Sequence, residues 1–205
     1  RDPEHSDPTS RDLFTVGIDG RNPRRLTTSL AAVEWSAPRF DPEGGRIAAT
    51  RLLPGGWLDV VLVNAATGAT EQLTHDRAKD VEPTWTPDGQ AVVFRSDRDG
   101  VSNLYALRLA DRSMLRLTNV IGGAFEPAVS PDGRSLAFSS YSSRGYDVAL
   151  APLDLAAAAP ADPFSDPYPA PHADPPPADG RIEPYPLASL LLPRFWSPWF
   201  ESTGE

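Results

Sequence analysis

Short apolar bursts recur in a fixed order along residues 12–154. Asp12-Leu13-Phe14-Thr15-Val16 alternates as a strand does, Asp19-Gly20 is a turn, and Arg24-Arg25-Leu26-Thr27 closes the hairpin. The same order returns as Asp59-Val60-Val61-Leu62-Val63, turn Thr67-Gly68, then Glu71-Gln72-Leu73-Thr74. It returns again as Asn103-Leu104-Tyr105-Ala106-Leu107, followed by Leu115-Arg116-Leu117-Thr118. A fourth copy begins at Asp147-Val148-Ala149-Leu150 and is not completed in the same way.

Between these hairpins lies a second unit. Glu82-Pro83-Thr84-Trp85-Thr86-Pro87-Asp88-Gly89 predicts a short strand that ends at a Pro-Asp-Gly turn. Proline presets φ at the first corner, and Asp and Gly supply the side-chain acceptor and the positive φ that close it. The unit is written three times, with Pro38–Gly44 before it and Pro127–Gly133 after it. Each turn leads into another apolar run: Ile47-Ala48-Ala49, Ala91-Val92-Val93-Phe94 and Leu136-Ala137-Phe138.

The Leu-Thr pairs are 47 and 44 residues apart, and the turn glycines Gly44, Gly89 and Gly133 are 45 and 44 apart. Four strands in a period of about 40–45 residues is the pattern of a β-propeller blade. A blade is apolar on both faces and buries them only by stacking on neighbours. The fold class expected is all-β: about three four-stranded blades, followed by an irregular proline-rich tail. A β-sandwich also yields many short strands, but it does not call for the same turn at the same place in each period. Asp12–Thr27 supplies the outer two strands of one blade, 34–74 and 81–118 are complete blades, and 124–154 gives about three strands of another. Phe40, Trp85 and Val129 are expected to pack between blades. Closed rings need four to eight blades, so this stretch cannot close alone and leaves open edges.

The succession acid-Pro-x-aromatic-Ser/Thr-Pro-Asp-Gly, apolar strand, Ser96-Asp97-Arg98-Asp99-Gly100, Asn103-Leu104-Tyr105 and Leu117-Thr118 resembles TolB-type, WD-repeat-like propellers. The likeness covers residues 12–154 and is strongest over 75–118. The first copy departs from it at Ala37 and Glu43, the third at Val129. The resemblance implies a binding module of the bacterial periplasm that offers a rim and central channel to a protein or peptide. Similar propellers also gate prolyl-oligopeptidase-like serine peptidases, whose hydrolase domain would lie outside this chain.

Past residue 154 the pattern stops. Residues 155–184 are rich in Pro and Ala and are expected to form an extended linker, and residues 1–11 a disordered end. Tyr185–Phe200 resembles the junction between a TolB-like propeller and a carboxyl-terminal surface-antigen, BamA-like outer-membrane barrel. Phe195, Trp196, Trp199 and Phe200 are candidate interface aromatics there, since Trp and Tyr collect at membrane interfaces. The competing expectation is that these rings fold back onto the propeller. The chain opens at Arg1 rather than Met and is expected to be a piece of a longer protein.

Composition narrows the chemistry. Of 205 residues, 23 are Pro and none is Cys, which excludes disulfides, thiolate metal sites and Cys nucleophiles. Net charge is −9, against a nucleic-acid footprint. No apolar run reaches the roughly 18 residues of a membrane-spanning helix. No Gly-x-Ser-x-Gly elbow occurs, and Gly122-Gly123 is not followed by a phosphate-loop Lys. Asp97-Arg98-Asp99-Gly100 has the look of a calcium-loop fragment, yet lacks a distal carboxylate and is better read as a hairpin tip. His5, His75 and His172 stand far apart in unlike contexts. Neither cofactor nor catalytic group is expected. Glu82 and Glu126, each just before the proline of an innermost strand, are candidate partner-binding residues at the channel rim for a cationic segment. The simpler expectation is that they pair with Arg77 or Arg116, or are solvated.

Overall fold

The computed structural model describes residues 10–30 and 32–161. His5, His172, Phe195, Trp196, Trp199 and Phe200, and the whole junction segment, lie outside the described residues. All described residues belong to the first of the two units into which the chain divides, 1–168.

Those residues form strands and turns arranged as successive antiparallel sheets. The first pairs β1 (Phe14–Thr15) with β2 (Arg24–Arg25). Blade 1 runs β3 (Glu34–Phe40), β4 (Arg46–Leu53), β5 (Trp57–Asn64) and β6 (Thr70–Gln72). Blade 2 runs β7 (Val81–Trp85), β8 (Ala91–Ser96), β9 (Asn103–Arg108) and β10 (Met114–Arg116). Blade 3 has three strands, β11 (Ala124–Val129), β12 (Ser135–Ser142) and β13 (Gly145–Pro152). In each, the strands follow one another in space as in sequence.

The alternating side chains explain the stacking. Successive residues of a strand point to opposite faces, so neighbouring apolar residues serve different joints. Val60 packs with Trp85, Phe94 and Tyr105 between blades 1 and 2, while Val61 packs with Leu13 and Trp35 on the other side. Val92 faces the blade 1–2 joint; Val93 packs with Leu104, Leu136 and Phe138 between blades 2 and 3. Phe94 and Tyr105 are fully buried. Burial of such a side chain contributes about 1.5–3 kcal/mol, so the joints are where the repeat is stabilised.

The Pro-Asp-Gly turns form as expected. The Asp88 carboxylate accepts from Thr86 Oγ1 (2.6 Å) and the Gln90 amide (3.0 Å), and Gly89 has φ 66°. Ser130 and Asp132 repeat the bond at 2.6 Å, with Gly133 at φ 70°. In the first copy Asp41 does this work, accepting from the Arg46 amide and guanidinium, so Glu43 does not disturb the turn.

Trp85 packs between blades as expected, its indole donating to the Arg39 carbonyl (2.9 Å) with the Arg46 guanidinium 4.8 Å over its ring. Val129 is half-buried against the blade 2–3 joint. Phe40 does not pack between blades; it is 55% exposed. The hairpin before blade 1 holds only β1 and β2, so among the described residues no inner strand stands where Phe40 would need one.

The start of the expected linker is also different. Asp154 caps a turn by accepting from the Ala156 (2.9 Å) and Ala157 (3.2 Å) amides. Leu153, Leu155 and Ala158 pack against the blade 2–3 joint. The chain then forms β14 (Ala159–Pro160), a fifth strand on the outer edge of blade 2, with Leu115 opposite Pro160.

Candidate functional site

Each blade's first strand breaks its ladder at the residue before a proline. The register shifts between Ser36 and Arg39, Val81 and Thr84, and Phe125 and Ala128. At those breaks Ala37, Glu82 and Glu126 take left-handed backbone, with φ of 49°, 57° and 53°. A non-glycine residue there costs roughly 1–3 kcal/mol. Three copies at one repeat position, one of them alanine, make the bulge an architectural device. It turns one residue per blade out of the ladder, and the identity of that residue is then free to vary.

The bulges of blades 2 and 3 are each tied to the blade before. The Glu82 amide donates to Thr50 Oγ1 of blade 1 (3.1 Å), and the Glu126 amide donates to Glu82 Oε2 (2.8 Å). Glu82 is also gripped by Arg95, whose Nη2 and Nε donate to Oε1 and Oε2 at 2.9 and 3.1 Å. Arg95 in turn lies 5.3 Å over the Phe125 ring of blade 3. Glu82 is therefore a strut between blades 2 and 3. Its partner is Arg95 rather than Arg77, which stacks on Trp57, or Arg116, which pairs with Asp99 at 3.1 Å.

Glu126 is placed differently. Its side chain is exposed and accepts one bond, from Ser139 Oγ at 2.9 Å. It borders a cavity of about 230 Å³ lined by Ala37, Arg39, Glu82, Pro83, Glu126 and Pro127. Arg39, exposed on the blade 1 side, gives the cavity a basic lip opposite the acidic one. Thus the two glutamates picked from sequence are brought to one site, Glu82 half-buried and tied to Arg95, Glu126 exposed.

A second polar cluster escaped the sequence reading. Asp59, Asp76 and Asp80 meet at the blade 1–2 joint, Asp59 and Asp80 with no exposed surface. Arg98 Nη2 lies 3.1 Å from Asp80 and 3.6 Å from Asp76. Asp59 accepts from Gln72 Nε2 (3.0 Å) and Thr74 Oγ1 (3.3 Å). Burial, reinforced by the Asp80 charge, pushes Asp59 up to about 7 and Asp76 up to about 6; burial also raises Asp80. The signal was in the repeat. One period on, the same positions hold Asn103, Val120 and Ala124, so the three acids are not grouped again there.

The acids of Asp97-Arg98-Asp99-Gly100 have internal partners. Asp97 accepts from the Lys79 amide (2.8 Å), Asp99 from the Tyr105 hydroxyl, and Gly100 closes the turn at φ 80°. His75 is exposed beside Gln72 Nε2 at 3.0 Å.

The family model of the TolB beta propeller domain matches residues 23–159. The chain belongs to this family. Among relatives, the Tol-Pal system protein TolB of Anaeromyxobacter dehalogenans (strain 2CP-C) is 34% identical over 127 residues, 60% of this chain and 28% of that protein. The uncharacterized peptidase YuxL of Bacillus subtilis is 30% identical over 112 residues, 52% of this chain and 17% of that protein. The crystal structure of TolB from Acinetobacter baumannii superposes with a TM-score of 0.63 at 24% identity, covering 73% of this chain and 37% of that one. The TolB-like chain spans less than half the length of each of these proteins.

Proposed function

We propose that this TolB-like propeller is a protein-binding scaffold of the bacterial cell envelope, facing the periplasm, and not a catalyst. The observation that carries the reading is Glu126, held exposed at a bulge whose equivalent in blade 2 is spent on an internal strut. Glu126 meets a basic side chain of an extended segment, and Arg39 at the opposite lip meets a carbonyl or carboxylate of the same segment. A cavity of about 230 Å³ accommodates a side chain rather than a folded domain. The net charge of −9 favours encounter with a cationic partner. The relationship to a protein named for the Tol-Pal system supports the periplasmic placement. Tyr185–Phe200 then serves as the tether to an outer-membrane barrel, with Phe195, Trp196, Trp199 and Phe200 at the membrane interface.

Titration of a short Lys/Arg-rich peptide into the isotope-labelled chain tests this reading. Shifts confined to the amides of Ala37, Arg39, Glu126 and Ser139 are expected; shifts scattered over the acidic surface, or none, refute it.

The relationship to YuxL favours a second reading, a gating propeller of a serine peptidase. The parent reading frame separates the two. Amphipathic strands of about ten residues after Glu205 support the barrel tether, and a Gly-x-Ser-x-Gly elbow supports the peptidase.

A further inference from the structure

Among the described residues, blade 3 is one strand short at its outer edge. In blade 1 the edge of β5 is covered by β6, with Val61, Leu62 and Val63 opposite Gln72, Glu71 and Thr70. In blade 2 the edge of β9 is covered by β10, with Ala106 opposite Leu115. Among the described residues β13 pairs with β12 alone, over eight residues, and nothing covers its outer edge.

The covered edges share a side-chain clasp. Thr74 Oγ1 accepts from the Val60 amide (3.0 Å) and donates to Asp59 Oδ1 (3.3 Å). Thr118 Oγ1 accepts from the Leu104 amide (2.9 Å) and donates to Asn103 Oδ1 (2.8 Å). Thr27 does the same with the Leu13 amide and Asp12, both at 2.9 Å. Each clasp fixes the outer strand to two consecutive residues at or near the start of the strand it covers. One period beyond Asn103 and Leu104 stand Asp147 and Val148, both exposed, Val148 by 82%. Leu150, the counterpart of fully buried Ala106, is 76% exposed.

Residues 158–162 do not repeat the outer-strand pattern. One period beyond Met114–Arg116 stand Ala158-Ala159-Pro160, without the leucine of the outer strand, and Asp162 occupies the place of Thr118. Pro160 has no amide to donate to a ladder. Ala159 and Pro160 pair with β10 instead.

We propose that the outer edge of β13 binds a separate extended segment of the pattern Leu-x-Leu-Thr from a partner protein, as an added fourth strand. The segment's threonine hydroxyl accepts from the Val148 amide and donates to the Asp147 carboxylate. Its first leucine stands opposite Leu150, as Leu115 stands opposite Ala106. Backbone bonds supply affinity and the clasp supplies register, which is the division of labour in strand addition.

The test uses the full chain and a fluorescein-labelled peptide of the sequence Ser113–Val120, read by anisotropy, with hydrogen exchange at the Val148 and Leu150 amides. Saturable binding with new protection of both amides is expected. A peptide carrying Thr118→Val should bind about tenfold more weakly, because the Asp147 carboxylate and the Val148 amide lose their shared partner. Asp147→Ala in the chain should weaken binding similarly, whereas Asp147→Asn should retain it, as Asn103 makes the same bond. Equal binding of the valine peptide overturns the clasp. Protection of Val148 and Leu150 before peptide is added, independent of chain concentration, means the chain covers its own edge and overturns the proposal. Protection that rises with chain concentration assigns the edge to a second copy and overturns it equally.

Discussion

Thr74 Oγ1 donates to Asp59 Oδ1 across 3.3 Å, at a place where Asn103 makes the same bond with Thr118 at 2.8 Å. A neutral amide thus serves the clasp of blade 2 and a buried acid that of blade 1. Asp59 shares its joint with Asp76 and Asp80, which face Arg98, and the nearby Arg51 charge lowers it without offsetting burial. Asp59 and Asp76 sit above the ordinary carboxylate range, at about 7 and about 6, while the unfolded chain ionises near 4. Between pH ~4 and ~7 the folded chain therefore binds more protons than the unfolded one, and stability falls as pH rises. The expected slope is about 1.4 kcal/mol per pH unit for each proton retained, flattening above pH ~7. Urea unfolding from pH 5 to 8 measures it. Stability rising over that range would contradict the buried-acid account. Asp12, Asp41 and Asp88 are lowered by their hydrogen bonds and act with opposite sign, but only below the usual carboxylate range.

Asp59→Asn isolates the effect. The amide can accept from Thr74 as Asn103 accepts from Thr118, and it removes one charge from the cluster. At pH 8 the variant should be more stable by about 1–3 kcal/mol, the scale of a buried charge relieved, and its pH slope should be about one proton shallower. Destabilisation at pH 8 would mean that Asp59 is needed as a carboxylate.

Much of the fold is written in the spacing. Leu-Thr pairs and Pro-Asp-Gly turns each mark a fixed strand boundary, and both are local signals tied to particular hydrogen bonds. What escaped depends on neighbours. Phe40 looks like Trp85 in sequence, yet its burial rests on strands of the preceding blade. β14 carries Ala and Pro and has no strand pattern; it is held by the edge it meets. The bulge site was half legible. Glu82 and Glu126 stood out before proline, but Arg95 as the strut partner appears only once the ladder is known. A spacing of 13 links Glu82 to Arg95 and Glu126 to Ser139, and that cross-strand offset is the sequence trace of the site.

Two glycines should behave oppositely. A Cβ on Gly122 would run into the Tyr141 carbonyl oxygen, whereas one on Gly45 meets nothing within 4 Å. Gly122→Ala should cost about 1–3 kcal/mol through a forced backbone shift. Gly45→Ala should be neutral or stabilise by up to about 1 kcal/mol through the unfolded chain. Thermal unfolding of both variants checks the packing of the loop before blade 3; equal effects would contradict it.

The two glutamates divide the same way. Glu82→Ala removes the Glu126 amide's acceptor, leaves Arg95 with Ser102 in place of the carboxylate, and should destabilise by about 1–3 kcal/mol. Glu126→Ala loses one exposed bond and should stay within about 0.5 kcal/mol of the parent. Denaturant midpoints at constant m-value distinguish strut from ligand; a large loss at Glu126 would make it structural too.

The central claim is that Glu126, set free by the third bulge, receives a cationic segment. The most direct measurement is the affinity of one Lys/Arg-rich peptide for the parent chain and for Glu126→Gln, by calorimetry at low and physiological salt. An exposed charge pair contributes up to about 1 kcal/mol, so the variant should bind roughly two- to fivefold more weakly, with a smaller salt dependence. Equal affinity and equal salt dependence for the two proteins would contradict the account.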